Sequence, residues 1–129
     1  MTRTFVYVAG PYKGKTHDWR SYNEIDINIA KAREVSKFLA ENGIPYFCPH
    51  ANTAHMEVIT AEIPAEYWYE MDNLFVDLSS AVFLVEGWQN SSGTKAEIDR
   101  ALAAKKLVFY PDSGDVLVAW WRNEPKEML

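Results

Sequence analysis

Four short apolar runs alternate with longer polar or amphipathic segments, and no other feature of this sequence constrains the fold as strongly. The runs are rich in β-branched and aromatic residues and lie at 4–9, 44–48, 81–85 and 107–110. Strands that alternate with helices form right-handed βαβ units around a parallel sheet. Continuously apolar strands are typical of a sheet covered on both faces. We therefore predict an α/β fold, a flavodoxin- or Rossmann-like three-layer sandwich with a central parallel sheet of four or five strands.

Three of the intervening segments show helical periodicity. They begin near Ser21, at Pro64 and at about Thr94. The side chains predicted to face the core recur every three or four positions. They are Ile25, Ile29, Ala32, Val35 and Leu39 in the first segment, Trp68, Met71, Phe75 and Leu78 in the second, and Ile98, Ala101 and Leu102 in the third. Residues 116–121 fit either a short helix or an edge strand.

Length and charge exclude several classes of protein. A chain of 129 residues is long enough for one domain, which we take to span 1–129. Its net charge of −5 argues against a nucleic-acid partner, because phosphate backbones require clustered Lys and Arg. No apolar run approaches the ~20 residues that cross a bilayer, and the N-terminus lacks a signal-peptide pattern. We expect a cytoplasmic protein without a membrane partner.

The single cysteine and the histidines do not form a pattern of metal ligands. Cys48 lies in an apolar run and is expected to be a small core residue. His50 and His55 lie in a predicted long loop, outside the i, i+4 helical pairing, with no Cys or acidic ligand at the expected spacing. We predict no metal and no cofactor. His50 follows a strand end and is a candidate substrate contact.

The segment 81–101 passes from an apolar strand through a Gly/Ser/Asn loop into a helix. Such a helix N-terminus favours an anion, and here the first predicted turn carries a carboxylate, Glu97. One interpretation is an ionised group that acts as a nucleophile. The other is a capping box over Thr94 to Glu97, in which Glu97 returns to the amide of the N-cap Thr94. The segment alone is compatible with both.

Three predicted loops leave the carboxyl ends of the strands, at 10–20, 49–62 and 86–93. Ligands of open parallel sheets bind beyond these ends, at the point where the strand order reverses. We therefore expect Tyr7, the loop that begins at Gly10, Ser91 and Glu97 to converge there.

Three motifs in this order resemble the nucleoside 2-deoxyribosyltransferase superfamily, which includes nucleoside 5′-monophosphate N-hydrolases. The resemblance covers nearly the whole chain. Its motifs are Tyr7-Val8-Ala9-Gly10-Pro11 on the first strand and turn, Asp72 on the helix before the third strand, and Gly87-Trp88 with Ser91, Gly93 and Glu97 after that strand.

The resemblance implies cleavage of the N-glycosidic bond of a (2′-deoxy)nucleoside or its 5′-monophosphate. Glu97 would attack C1′ to form a glycosyl ester, which water or a second base resolves. Tyr7 would orient Glu97, and Asp72 would handle the proton of the departing base. The alternatives are a base-exchanging nucleoside 2-deoxyribosyltransferase proper and a non-catalytic domain that binds a nucleotide or nucleotide-sugar. From the residues alone, Asp72 also fits a solvated helix position and Tyr7 a plain core position.

The same resemblance suggests the substrate contacts. Many of the transferases place an aspartate that holds the 5′ hydroxyl where this chain has Ser91, whereas the nucleotide hydrolases place a serine that meets a 5′ phosphate. The predicted contacts are Gly10, Pro11, Gly14, His50, Trp88, Ser91 and Gly93. The alternative for Ser91 is that it only turns the loop, and the alternative for Trp88 is a core position.

Related enzymes usually complete each site with residues from a neighbouring subunit. Trp120 and Trp121 near the C-terminus are apolar enough to suggest an exposed contact surface. We therefore predict a homodimer or a higher homo-oligomer.

Overall fold

The four apolar runs form one parallel sheet. The computed structural model describes residues 3–13 and 20–123. The strands are β1 (Val6–Ala9), β2 (Tyr46–Phe47), β3 (Ala81–Leu84) and β4 (Leu107–Phe109). Their order is β2-β1-β3-β4, and each neighbouring pair is parallel. The predicted α/β fold with a parallel sheet is thus confirmed, with four strands in the described part of the chain.

Helices connect the strands. They are α1 (Arg20–Glu41), α2 (Pro49–Asn52), α3 (Met56–Ile59), α4 (Ala65–Leu78), α5 (Ser92–Ala103) and α6 (Gly114–Asn123). The prediction of a long loop after β2 was wrong in part, because two short helices, α2 and α3, lie there. The segment 116–121, which fitted either a helix or a strand, belongs to α6. None of the helices within residues 3–13 and 20–123 combines the length and apolar character that crossing a membrane requires.

Alternate residues of β1 and β3 face opposite sides of the sheet, and each side has its own core cluster. On one side Val6 and Phe83 pack with buried residues of α1 and α6. On the other side Tyr7 and Val82 pack with buried residues of α4 and α5. The sheet is therefore covered on both faces, which explains its uninterrupted apolar strands. Cys48 is buried in the first cluster, as expected.

Two of the predicted core positions were wrong. Leu78 at the end of α4 is 62% exposed and Leu102 on α5 is 54% exposed. Val76, Ile98 and Ala101 fill that side of the core instead. Helical spacing marks an apolar stripe but does not fix its rotation toward the sheet, which depends on how the helices pack.

The interpretation of Trp120 and Trp121 as an exposed surface was also wrong. Both side chains are partly buried against the first core cluster. The ring of Trp120 lies 5.5 Å from that of Phe109, and the guanidinium of Arg3 lies 4.9 Å above the ring of Trp121. The tryptophans belong to α6, whose apolar face covers the same side of the sheet as α1.

Strand order places a crevice beyond the carboxyl ends of β1 and β3. From β1 the chain moves to one edge of the sheet, and from β3 it moves to the other, so the loops after these strands diverge. The two loops are closely apposed at their start, because a Cβ on Gly10 would lie 2.5 Å from Cβ of Val85. Only glycine permits this approach.

Candidate active site

Tyr7 and Glu97 meet between the sheet and α5. Tyr7 lies in the middle of β1, is fully buried, and faces the side covered by α4 and α5. Its hydroxyl donates a hydrogen bond of 2.6 Å to Oε2 of Glu97. The two residues are 90 positions apart, so the fold itself creates this contact.

Glu97 does not cap α5. The helix begins at Ser92 and its N-cap is Ser91, whose hydroxyl accepts from the backbone N–H and the hydroxyl of Thr94 at 3.1 and 2.9 Å. The capping box from Thr94 to Glu97 was therefore wrong. Serine caps at least as well as threonine, and Thr94, which is buried, lies inside the first turn. Glu97 is thus in the second turn, where its side chain turns to Tyr7.

The surroundings of Glu97 favour its neutral form. The pKa of Glu97 is raised from 4.5 to about 8: burial raises it most, the hydrogen bond from Tyr7 lowers it, and the charge of Asp72 raises it. The pKa of Tyr7 itself is raised well above 10 by burial and by the neighbouring acids, so the phenol keeps its proton. Tyr7 is consequently a permanent donor to Glu97.

Asp72 is the second acid of the site. It projects from α4, and its Oδ1 is buried without a hydrogen-bond partner among the described residues. Burial raises the pKa of Asp72 from 3.8 to about 6. The charge of Asp72 acts on both Glu97 and Tyr7. An acid with a raised pKa and a free buried oxygen is equipped to exchange a proton with a ligand.

Together the two acids retain one proton across neutral pH. Because their charges interact, the pair titrates in two coupled steps, near pH 6 and near pH 8. Between these steps the pair shares one proton, which lies mainly on Glu97, because its pKa is the higher of the two, and passes to Asp72 in the minor form. Such a pair can supply a nucleophile and an acid to the same bond, as in retaining glycosidases.

Burial of Glu97 predicts a pH-dependent stability. The folded chain holds the Glu97 proton between pH 4.5 and about 8, whereas the unfolded chain releases it. The free energy of unfolding of the wild type therefore falls as pH rises through this window. Glu97→Gln does not titrate, so we expect it to be more stable than the wild type at pH 9, by at most on the order of 5 kcal/mol. Urea unfolding at pH 5 and pH 9 measures the difference.

The matched control for this experiment is Asp99→Asn, which removes an exposed carboxylate from the same helix. We expect it to follow the wild type at both pH values. An equal stability of Glu97→Gln and wild type at pH 9 would contradict the raised pKa of Glu97.

His50 lies under the loop that follows β1. It is buried, and its Nε2 lies 2.8 Å from the carbonyl oxygen of Pro11, to which it donates. Burial lowers the pKa of His50 and keeps the ring neutral. Its Nδ1 is buried and has no partner among the described residues. Nε2 of His50 is thus bound to the loop that contains Pro11, and only Nδ1 is left for the predicted substrate contact.

Trp88 and Gly87 border a cleft of about 480 Å³ at the carboxyl ends of β3 and β4. Gly87 has a φ of +94°, a conformation that favours glycine, and lets the chain turn beside Pro11. The ring of Trp88 packs against the second core cluster and lies 5.5 Å from the ring of Tyr110. Trp88 therefore packs in the core, as its alternative interpretation predicted, and also lines this cleft, whose lining does not include Glu97.

The start of α5 is sterically open. A Cβ on Gly93 would meet only the hydroxyl oxygen of Ser91, at 4.0 Å. Packing therefore does not require glycine here, in contrast to Gly10. Of the remaining predicted contacts, Gly14 lies outside the described residues.

A family comparison covers most of the chain. A model of the family described as "Domain of unknown function (DUF1937)" matches residues 4–112. The chain belongs to the DUF1937 family. No curated protein matches it. The matched segment includes β1 to β4 and the three side chains of the candidate site, Tyr7, Asp72 and Glu97.

This DUF1937 chain also forms a polar network that the sequence did not predict. The hydroxyl of Tyr12 lies 2.9 and 3.0 Å from the two carboxylate oxygens of Glu57 and accepts from the backbone N–H of His55 at 2.7 Å. Nε2 of His55 lies 2.8 Å from Oδ1 of Asp26. These contacts fasten α3, which has no buried residue, to α1 and to the loop after β1. No sequence spacing signals them, because they join distant segments.

Aromatic rings flank Tyr7 in this domain. The rings of Phe47 and Phe75 are stacked with centroids 3.8 Å apart, and the ring of Phe47 lies 6.2 Å from that of Tyr7. Both rings pack against the core cluster that contains Tyr7. Burial is the main cause of the raised pKa of Glu97. Among the described residues no group of three His, Cys, Asp or Glu side chains is arranged to hold a metal ion.

Proposed function

We propose that this DUF1937 domain cleaves the N-glycosidic bond of a (2′-deoxy)nucleoside or its 5′-monophosphate through a covalent glycosyl ester on Glu97. The observation that carries the proposal is the 2.6 Å hydrogen bond from Tyr7 to Glu97, together with Asp72, a half-buried acid whose buried Oδ1 has no partner among the described residues. Two acids of separate pKa at one site match the needs of a double displacement at C1′.

The reactive form is the one in which the shared proton has passed from Glu97 to Asp72. In the first step the carboxylate oxygen of Glu97 then attacks C1′ of the sugar. The bond between C1′ and the base nitrogen breaks, and its electron pair leaves with the base. The proton of Asp72 passes to the departing base, so the base leaves neutral. Tyr7 donates to Oε2 and therefore leaves Oε1 free to form the new bond.

In the second step water attacks C1′ of the glycosyl ester. Asp72, now ionised, takes a proton from that water, and the Glu97 carboxylate is released with its electron pair. The products are the free base and the free sugar or, from a 5′-monophosphate, the sugar 5-phosphate. If a second base attacks in place of water, the same two steps give base exchange, which is the alternative reaction of this site. No cofactor takes part in either route.

The test is to incubate the full chain with a panel of purine and pyrimidine nucleosides, deoxynucleosides and their 5′-monophosphates. Chromatography then measures the free base. Hydrolysis gives free sugar and base in equal amounts, and transfer gives a new nucleoside when a second base is added. Saturable binding of a panel member without any release of base, in a preparation of correct fold, would support the non-catalytic alternative and contradict the proposal.

Ser91 provides a prediction about the 5′ group. Its oxygen accepts from Thr94, but its own hydrogen is available to a phosphate at the start of α5. We expect a 5′-monophosphate to bind more tightly than its nucleoside, and Ser91→Asp to reverse the preference by about tenfold or more, through the loss of a charge-assisted hydrogen bond and added repulsion. Calorimetric titration of both ligands measures this.

Ser91→Asn is the matched variant, because asparagine also caps a helix but adds no charge. Aspartate caps equally well, so both variants should fold. Equal affinity of the unmodified protein for nucleoside and monophosphate would contradict the phosphate contact.

We also propose a homodimer or higher homo-oligomer, now on a different surface from the one first expected. The tryptophans of α6 are packed on their own core, whereas α4 presents Tyr67, Leu74 and Leu78 with exposures of 53%, 62% and 62%. We expect sedimentation to show a dimer or larger species at micromolar concentration, and Leu74→Glu to dissociate it. Val116→Glu, at an exposed site on α6, should leave it intact. A monomeric wild type would contradict the proposal.

A further inference from the structure

A small cleft at the other end of the sheet gathers two arginines. It lies at the amino ends of the strands, between the segment that precedes β1, the turn after α1 and the end of α6. Its volume is about 280 Å³. It is lined by Arg3, Asn42, Gly43, Trp121 and Arg122. The candidate active site lies beyond the opposite, carboxyl ends of the strands, so the two sites do not overlap.

The guanidinium groups in this cleft have few acceptors. Nη1 of Arg3 is buried and has no hydrogen-bond partner among residues 3–13 and 20–123, and its guanidinium lies 4.9 Å above the ring of Trp121. Nη2 of Arg122 donates a long hydrogen bond of 3.3 Å to Oδ1 of Asn42. In the part of the chain that the structure describes, neither arginine is paired with a carboxylate.

This lack of partners requires an explanation in a chain with 18 acidic residues and a net charge of −5. A buried donor on a charged group is almost always paired, because its desolvation is otherwise uncompensated. Two guanidinium groups around one small cleft also repel each other. The negative end of α1 lies close by and attracts cations, but it does not supply an acceptor to Nη1 of Arg3.

We propose that the cleft binds a small oxyanion, a phosphate or a carboxylate group, between Arg3 and Arg122. Arginine presents a planar fork of donors that matches both anions. Trp121 holds the plane of the Arg3 guanidinium by a cation–π contact, and Oδ1 of Asn42 orients Arg122. The anion supplies the acceptor that Nη1 of Arg3 lacks and offsets the repulsion between the two cations. This site is independent of the function proposed for Glu97.

The test is a titration of the isotope-labelled full chain with sodium phosphate at pH 7, followed by amide NMR at constant ionic strength. Sodium acetate and sodium chloride titrations are run in parallel. We expect saturable shifts at Asn42, Gly43 and Arg122 with phosphate or acetate, but not with chloride. A response to phosphate alone assigns the site to phosphoryl groups, and a response to both assigns it to oxyanions in general.

Arg3→Gln and Arg122→Gln should each lower the affinity for the oxyanion by about tenfold, because each loses a charge-assisted hydrogen bond. Arg33→Gln, which changes an exposed arginine of α1, is the matched control and should leave the affinity unchanged. Glu97→Gln should also leave it unchanged, which separates this site from the proposed catalysis.

Shifts that do not saturate, shifts confined to Ser91 to Gly93, or an unchanged affinity in Arg122→Gln would each overturn the proposal. Arg3 is partly buried, and its replacement by glutamine could impair folding. Arg122 is exposed at the end of α6, so its variant tests the site even if Arg3→Gln does not fold.

Discussion

Glu97→Gln is expected to abolish turnover, with a loss on the order of 10³-fold or more, while the fold and ligand binding persist. The amide has the size of the carboxyl and can still accept the hydrogen bond from Tyr7, but it cannot form a glycosyl ester. Because Ser91, and not Glu97, is the N-cap of α5, the substitution removes no helix cap. Release of base from the preferred substrate measures the effect.

Two controls separate chemistry from structure in this experiment. Asp99→Asn removes a neighbouring exposed carboxylate of α5 and should retain full activity. The Glu97→Gln protein should also bind the substrate with an affinity close to that of the wild type. Full activity of Glu97→Gln would exclude Glu97 as the nucleophile and, with it, the proposed mechanism.

Asp72→Asn is expected to lower kcat/KM by roughly 10²- to 10⁴-fold, the usual contribution of a general acid. The loss should depend on the base. A base that leaves readily without protonation depends little on the acid, so kcat/KM for its cleavage should hardly change. A purely structural role of Asp72 would instead lower kcat/KM for all bases alike. Glu70→Gln, an exposed acid on the same helix, should have no effect.

The pH profile gives a second measure of the role of Asp72. In the wild type the form with one proton on the pair exists between pH values of about 6 and about 8, so kcat/KM should be bell-shaped over that range. Asp72→Asn leaves only Glu97 to titrate. Its activity should therefore rise with pH to a plateau, and persistence of the fall on the alkaline side would contradict the assignment of Asp72 as the acid.

The sequence predicted the fold well because the signals for it are local. Each run such as Ala81–Leu84 carries its strand preference and its burial on both faces in its own composition. The alternation of such runs with helices allows few arrangements other than a parallel sheet. The order of strands then places Tyr7 and α5 near one another without any knowledge of their contacts.

The boundary of α5 could not be predicted in the same way. Ser91 and Thr94 are both favourable N-caps, and each choice satisfies the local rules. Packing decides between them, because Thr94 is buried in the first turn and the helix must begin before it. The choice has a chemical consequence, since it places Glu97 beyond the cap and directs it to Tyr7.

The rotation of helices and the fate of the tryptophans were likewise decided by tertiary structure. The apolar pattern of α4 is the same whether Leu78 faces the sheet or the solvent. Only the packing of α4 against α5 and the sheet decides between these two orientations. Trp120 packs on Phe109 because α6 returns across the same face as α1, which no local pattern indicates.

The sequence by itself thus predicted the strands and their parallel arrangement and, through its motifs, singled out Glu97 and Asp72 as candidate acids. Only the tertiary structure decided the chemistry of those acids. The pKa of Glu97 rises to about 8 because neighbouring elements remove water from around it, and Tyr7 reaches it across 90 positions of chain. Secondary structure is encoded in a residue's near neighbours, whereas burial and charge coupling depend on the distant residues that folding brings beside it.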